Sequence, residues 1–281
     1  MGSQTVTGER LSFGGVADRY ERARPSYPRE AAAWLVGSQP VRVLELGAGT
    51  GKLTRLLVDL GHEVIATDPD PRMLGVLASR VPGAHACTGA AECIPVASRS
   101  VDVVVAAQSF HWFDRPRALP EIARVLRPGG VLAMVWNIRD EGIPWVKRLG
   151  RLIATPERER DPVRLLADDR HFGYVEDQTY RHWQTLDRQG LLDLVASRSN
   201  VAMLTEDERA DRLEQVGILY DGYGRGHDGM QLPYLTNCYR TVVQQQDPVE
   251  EPEATDPTGE ATVETPRPEP EDSGTLLIDF R

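Results

Sequence analysis

Cysteine is scarce in this 281-residue chain: Cys87, Cys93 and Cys238 are odd in number and show no C-x-x-C spacing. A disulfide framework and a structural zinc site are thereby disfavoured, no metal is expected, and a reducing, cytoplasmic compartment is the expectation. Lysine is nearly absent too, confined to Lys52 and Lys147 among 32 basic residues, an arginine bias that points to GC-rich codons. No apolar run reaches the roughly 18 residues that a membrane helix needs. The N-terminus, with Glu9 and Arg10 and no apolar core, does not read as a secretory signal. An excess of positive charge is also missing, since 42 acidic residues against 32 basic ones give a net charge of −10. That balance argues against a partner held through nucleic-acid phosphates or anionic lipid.

The charge is unevenly placed. Residues 247–281 hold eleven acids and two arginines (Arg267 and Arg281), a balance of −9, and the first 246 residues are left at −1. The same stretch has six prolines and few large apolar residues before Leu276-Leu277-Ile278. Such a segment buries too little surface to offset its ordering entropy, so 247–281 is expected to be a disordered acidic tail. Two readings of it stand: a solvated spacer, or a protein-binding arm anchored by Leu276-Leu277-Ile278-Asp279-Phe280.

With 41% apolar residues, the remainder can bury a full core. Residues 41–137 alternate strand-like and helix-like patterns. Residues 41–46 are a short apolar run that ends in a glycine cluster, and 52–60 place Leu53, Leu56, Leu57 and Leu60 on one helical face. Residues 63–68 form a second strand, and 71–79 a helix with a favourable early proline. Residues 101–107 are almost wholly apolar, as a strand covered on both faces should be. A helix over 118–126 stops at Arg127-Pro128-Gly129-Gly130, and 131–136 is another buried strand. Strands alternating with helices imply parallel βαβ units in a doubly wound sheet. Beyond 137, residues 145–170 read as helical and charged, 174–186 and 232–243 as strands, and 190–196 and 206–219 as helices. Short helices are expected over 12–34.

A strand, a glycine-rich turn, a helix and an acid ending the next strand make a nucleoside-binding arrangement. Glycine lets the backbone turn sharply and approach a ligand, while a carboxylate can accept two hydrogen bonds from ribose hydroxyls. Asp68 lies 21 residues after Gly47, the separation such a unit requires. A G-x-G-x-x-G dinucleotide loop beginning at Gly47 would need glycine where Lys52 stands. A phosphate loop ending at Gly51-Lys52 would need glycine at Leu46 and Ser or Thr at Leu53.

The string Glu45-Leu46-Gly47-Ala48-Gly49-Thr50-Gly51 resembles motif I of class I S-adenosylmethionine-dependent methyltransferases, which read E/D-x-G-x-G-x-G. The resemblance covers about 41–137 and includes Asp68, Gly89-Ala90-Ala91-Glu92-Cys93-Ile94-Pro95 and Arg124-Val125-Leu126-Arg127-Pro128-Gly129-Gly130. More narrowly, Gln108-Ser109-Phe110-His111-Trp112-Phe113-Asp114, with Phe13-Gly14-Gly15 and Arg24-Pro25-Ser26-Tyr27-Pro28, is similar to the trans-aconitate-methyltransferase-like branch. It implies a Rossmann-like α/β fold: a doubly wound, mostly parallel seven-stranded sheet in a single domain (39–246) with a helical insertion, preceded by N-terminal lid helices over 1–38. It also implies a set of roles. Gly47, Ala48 and Gly49, with Glu45 behind them, would hold the methionine end of the cofactor. Asp68 would take the ribose hydroxyls, Pro69 and Met73 would flank the adenine, and Ala91 and Glu92 would meet its edge. Ala90 stands where many relatives carry the Asp that accepts from the adenine amino group. Gln108 would sit near the sulfonium, and Tyr20, Arg24 and Tyr27 on the lid.

Methyl transfer is an in-line displacement, so the protein must align the acceptor and, for a neutral nucleophile, remove a proton. His111 is the candidate base, as a group titrating near neutrality just beyond a strand end, or else it and Trp112 cap that strand. A carboxylate acceptor would need no base, and His111 or an arginine would bind its charge. Trp112 is a candidate for binding the acceptor. Trp136 and Trp183 are either pocket wall or core, and Arg198 either binds an acidic acceptor or structures its loop. The expected function is methyl transfer to a small-molecule carboxylate or hydroxyl. The rivals are an S-adenosylmethionine-binding regulatory protein without turnover and an NAD-dependent oxidoreductase.

Overall fold

The computed structural model describes residues 24–153, 162–166, 169–198, 201, 203–223 and 229–246. Tyr20 and the segment 247–281 lie outside them. Seven strands, Arg42–Leu46 (β1), Glu63–Asp68 (β2), Ala84–Thr88 (β3), Val101–Ala107 (β4), Leu126–Arg139 (β5), Phe172–Leu186 (β6) and Met230–Val243 (β7), form one sheet. Its order is β3-β2-β1-β4-β5-β7-β6. β7 runs antiparallel to both of its neighbours and every other pair is parallel.

The helices are Arg29–Val36 (α1), Lys52–Asp59 (α2), Pro71–Arg80 (α3), Arg115–Val125 (α4), Pro144–Ile153 (α5), Pro162–Leu166 (α6), Arg188–Ala196 (α7) and Glu206–Tyr223 (α8). The apolar runs of β1 and β4 are covered on both faces. Val43, Val103 and Val105 pack with Ala31 and Leu35 of α1 and Leu53 and Leu57 of α2. Leu44, Val104 and Met134 pack on the other side with Phe110 and with Leu119 and Ile122 of α4. A separate cluster joins α5, α7 and α8 to the ends of β6 and β7, through Leu149, Leu194, Val216 and Tyr234. α3 starts as its sequence dictates, with Pro71 in its first turn and the Asp70 side chain accepting a hydrogen bond from the Arg72 amide. Strand order reverses at β1 and β4, with β2 and β3 added on one side and β5 on the other, which leaves a crevice outside their carboxyl ends, where ligands of open α/β sheets bind.

The structure departs from the sequence expectations in several places. β3 was not anticipated, because this edge strand is mostly exposed and carries no apolar alternation. The segment Arg127-Pro128-Gly129-Gly130 does end α4, yet it lies inside β5. There the register with β4 jumps from Val101↔Leu126 to Val103↔Val131, so the turn is absorbed as an irregularity of the strand. Among the described residues helix begins at Arg29, residues 12–23 of the expected helices lying outside them, and α1, placed in the lid by sequence, has Ala31, Ala32 and Leu35 in the core. The helical reading of 145–170 corresponds to α5 and α6, with 154–161 outside the described residues. Trp136 is core, whereas Trp183 is 60% exposed.

Phe110 is fully buried, with its ring edge-on to those of Phe113 (5.6 Å) and Trp136 (6.5 Å). Phe110→Ala should lower unfolding free energy by about 3–5 kcal/mol. Met203→Ala, at a side chain 83% exposed, should change it by less than about 0.5 kcal/mol. Urea denaturation followed by circular dichroism measures both.

Candidate cofactor and acceptor site

The loop after β1 is stitched to the end of β2. The Gly47 and Ala48 amides both donate to the Thr67 carbonyl (2.8 and 2.9 Å), and the Thr67 hydroxyl donates to the Glu45 carbonyl (3.0 Å). The Asp68 carboxylate closes the arrangement. One of its oxygens accepts from the Gly49 amide and the other from the Asp70 amide, each at 2.9 Å. Gly47 has φ +72°, and a Cβ there would come within 2.7 Å of the Ser109 Cβ. Gly49 has φ +57°, and a Cβ there would meet nothing within 4 Å. Close packing and a left-handed backbone exclude side chains at the first position. At the second, the loop presents bare backbone to open space, the form a ligand-cradling turn requires.

Behind this loop, Glu45 is 2% exposed and its carboxylate accepts from the Thr54 hydroxyl at 2.6 Å. Burial pushes its pKa up to about 8; the Thr54 hydrogen bond pulls it down and the nearby Asp68 charge raises it further. A cation brought in front of the loop would favour loss of that proton.

A cavity of about 490 Å³ opens over the carboxyl ends of the strands, within the range typical of small-molecule sites. On the side of β1, β2 and β3 it is lined by Gly47, Ala48, Gly49, Asp68, Pro69, Met73, Ala91 and Glu92, together with Asp70. Glu45 stands behind the wall rather than in it. The Glu92 carboxylate is engaged, accepting from the Asp114 amide at the start of α4 at 2.8 Å. On the side of β4 and β5 the lining includes Gln108, Ser109, Asn137 and Trp112, with Arg24, Tyr27 and Arg198.

His111 is not part of that lining. It lies in the short 3₁₀ turn Phe110–Trp112, with its ring 4.9 Å from that of Trp112 and its Nδ1 3.5 Å from the Trp136 indole nitrogen. An indole N–H only donates, so Nδ1 serves there as the acceptor.

The β4–β5 side is a hydrogen-bonded frame. Gln108 holds a left-handed backbone (φ +58°), unusual for a side-chain-bearing residue, and its side-chain Nε2 donates to the Asn137 carbonyl at 3.2 Å. The Asn137 side chain donates to the Ser26 carbonyl (2.9 Å) and accepts from the Thr236 hydroxyl (2.6 Å). His182 Nδ1 lies 3.1 Å from that hydroxyl. The segment 24–27 is thus tied to β5, and Arg24 donates to the Ser197 carbonyl (3.1 Å), next to Arg198. Tyr234, on β7, is sealed nearby. Burial raises its phenol pKa, while the charges of Arg198, Arg139 and Arg24 lower it. Sequence reasoning missed Ser109, Asn137, Arg139 and Tyr234. For Ser109 and Asn137 the signal was available, since Ser109 follows Gln108 just beyond β4 and Asn137 lies near the end of β5 at the same sheet edge.

Residues 44–134 match the family described as Methyltransferase domain. Over 236 residues the chain is 46% identical to an uncharacterized methyltransferase of Mycobacterium tuberculosis, spanning 83% of this chain and 96% of that protein. It belongs to the class I S-adenosylmethionine-dependent methyltransferases. The methyltransferase is also 26% identical to a solved structure assigned as a type II methyltransferase from Anaeromyxobacter dehalogenans, with a TM-score of 0.60 over 78% of this chain and 97% of that one. A malonyl-[acyl-carrier protein] O-methyltransferase of Methylococcus capsulatus is 40% identical over 135 residues, 44% of this chain and 49% of that protein. The cofactor of this methyltransferase is S-adenosylmethionine, and the dinucleotide alternative is set aside. Among the described residues no helix is long and apolar enough to cross a membrane.

The raised pKa of Glu45 makes stability depend on pH. In the unfolded chain its carboxyl ionises near 4.5, whereas the folded methyltransferase keeps the proton to about 8. The folded state therefore binds more protons in that window, and this residue's contribution to stability declines as pH rises through it. Glu45→Gln removes the dependence. The urea midpoint of the wild type should fall relative to that of the variant between pH 5 and pH 8, and parallel curves would refute the assignment.

Proposed function

We propose that this methyltransferase esterifies a small carboxylic acid. A carboxylate oxygen attacks the methyl carbon of S-adenosylmethionine, and the S–CH₃ bond breaks with its electron pair going to sulfur. S-adenosylhomocysteine and a methyl ester leave. No proton moves, so the step needs alignment and exclusion of water rather than a base.

One observation carries this reading: among the described residues, the β4–β5 side of the cavity presents two guanidinium groups, Arg24 and Arg198, and no carboxylate. The acids of the lining are all on the other side and already engaged. Asp68 accepts two backbone amides, Asp70 pairs with Arg72 at 2.8 Å, and Glu92 caps the start of α4. His111, off the wall and with Nδ1 facing an indole N–H, is poorly disposed to act as a base. Arginine suits the acceptor end because its planar fork holds a carboxylate through two hydrogen bonds. The likeness of 108–114 to the trans-aconitate-methyltransferase-like branch supports the same acceptor class. So does the relative named for O-methylation of a malonyl group.

At the other end the cofactor supplies a methyl group activated by sulfonium charge. Asp68 would accept the ribose hydroxyls, while Gly47, Ala48 and Gly49 would lie along the methionine portion, backed by Glu45. Pro69 and Met73 would flank the adenine, with Ala91 and Glu92 at its edge. Gln108 would stand between cofactor and acceptor, Trp112 would shield the acceptor, and Tyr27, with Tyr20, would help cover it. Soluble small-acid substrates suit a cytoplasmic location.

Calorimetry tests the cofactor half: Asp68→Ala should weaken S-adenosylhomocysteine binding about a hundredfold or more, for two lost charge-assisted hydrogen bonds. Undiminished binding would sink that assignment. For the acceptor half, purified protein is incubated with labelled S-adenosylmethionine and a panel of carboxylic acids. The label should be released as methanol by mild base, Arg198→Ala should raise KM about tenfold or more with a smaller effect on kcat, and His111→Ala should keep turnover. A base-stable product, or loss of turnover in His111→Ala with the fold intact, would overturn the carboxylate reading.

A further inference from the structure

We propose that the open edge of β6 is a self-association surface, on which a second copy of this chain adds its own β6 antiparallel about a two-fold axis at Thr179. The strand runs 15 residues, Phe172–Leu186, at the end of the sheet, and among the described residues its only strand partner is β7. Long bare edges of this kind invite another strand, and proteins ordinarily blunt them with lysine, proline or a short edge. This one is long and carries neither residue.

What it carries instead is a charge pattern that complements itself. Glu176 and Asp177 precede the middle of the strand and Arg181 and His182 follow it. Glu176 is occupied within its own chain, paired with Arg240 across β7 at 2.6 Å. Asp177 and Arg181 are both exposed and have no ion pair or side-chain hydrogen bond among the described residues. They lie two strand positions on either side of Thr179 and so share a face. Pairing β6 with a second β6 antiparallel, with Thr179 opposite Thr179, sets Asp177 of each copy against Arg181 of the other, twice. A parallel arrangement would oppose Asp177 to Asp177 and Arg181 to Arg181, which is destabilising. The same antiparallel register lays the second copy's strand beside Trp183, 60% exposed, and removes part of its apolar area from water.

The test uses the full chain. Sedimentation velocity over a micromolar concentration series should show a monomer–dimer equilibrium. Arg181→Glu should raise the dissociation constant about tenfold or more, since two attractive cross-strand pairs become repulsive. Asp177→Arg should do the same. The double variant, Asp177→Arg with Arg181→Glu, restores both pairs with their signs exchanged and should return the constant to within about threefold of wild type. Circular dichroism melts matching wild type for each variant establish that the fold is intact. A chain that stays monomeric throughout, a dimer indifferent to Arg181→Glu, or a double variant that fails to recover would each overturn the proposal.

Discussion

The Asp68 carboxylate holds together the β1–β2 side of the cavity in this methyltransferase. By accepting the Gly49 amide it fixes the tip of the glycine loop, and by accepting the Asp70 amide it fixes the turn into α3. Two loops from neighbouring parallel strands are thereby locked to one anion. The same charge reaches Glu45 behind the loop and helps to keep that carboxyl protonated. The site is built around one retained negative charge and one suppressed one. A cationic cofactor suits this arrangement, because its arrival can be met by ionising Glu45 without bringing new charge from solvent.

The β4–β5 side of the cavity is organised on different lines. Its frame is neutral, made of amides and a hydroxyl: Gln108, Asn137 and Thr236 form a chain of hydrogen bonds that also grips the Ser26 carbonyl. Positive charge is added from outside that frame by Arg24 and Arg198, with Arg139 and the sealed phenol of Tyr234 close behind. Positioning is done by the neutral groups and attraction by the charged ones. The left-handed backbone at Gln108 is part of this frame, a local strain kept where β4 meets the β4–β5 wall of the cavity.

These two halves differ in how far they could be read from sequence, and the reason is contact range. The glycine loop and Asp68 lie within one βαβ unit, so spacing alone brings them together, and β1, β2 and β4 announce themselves as apolar runs. Arg24 meets Ser197 across 173 residues of chain. No periodicity encodes that meeting, and so Arg198 was ambiguous and Tyr234 invisible. His111 carried two readings, a base placed just beyond β4 or a cap of that strand, and its ring lies beside Trp112 with Nδ1 3.5 Å from the Trp136 indole nitrogen. β3 escaped notice because an exposed edge strand has no apolar signature, and α1 was assigned to a lid because a short helix near the N-terminus does not declare what it packs against.

The same division is visible along the chain. The family match spans 44–134 and holds the whole glycine loop and Asp68, whereas Arg24, Tyr27, Asn137 and Arg198 all fall outside it. On the proposed roles, a change at any of those four positions alters the acceptor wall and leaves the hydrogen bonds that join the glycine loop to Asp68 in place.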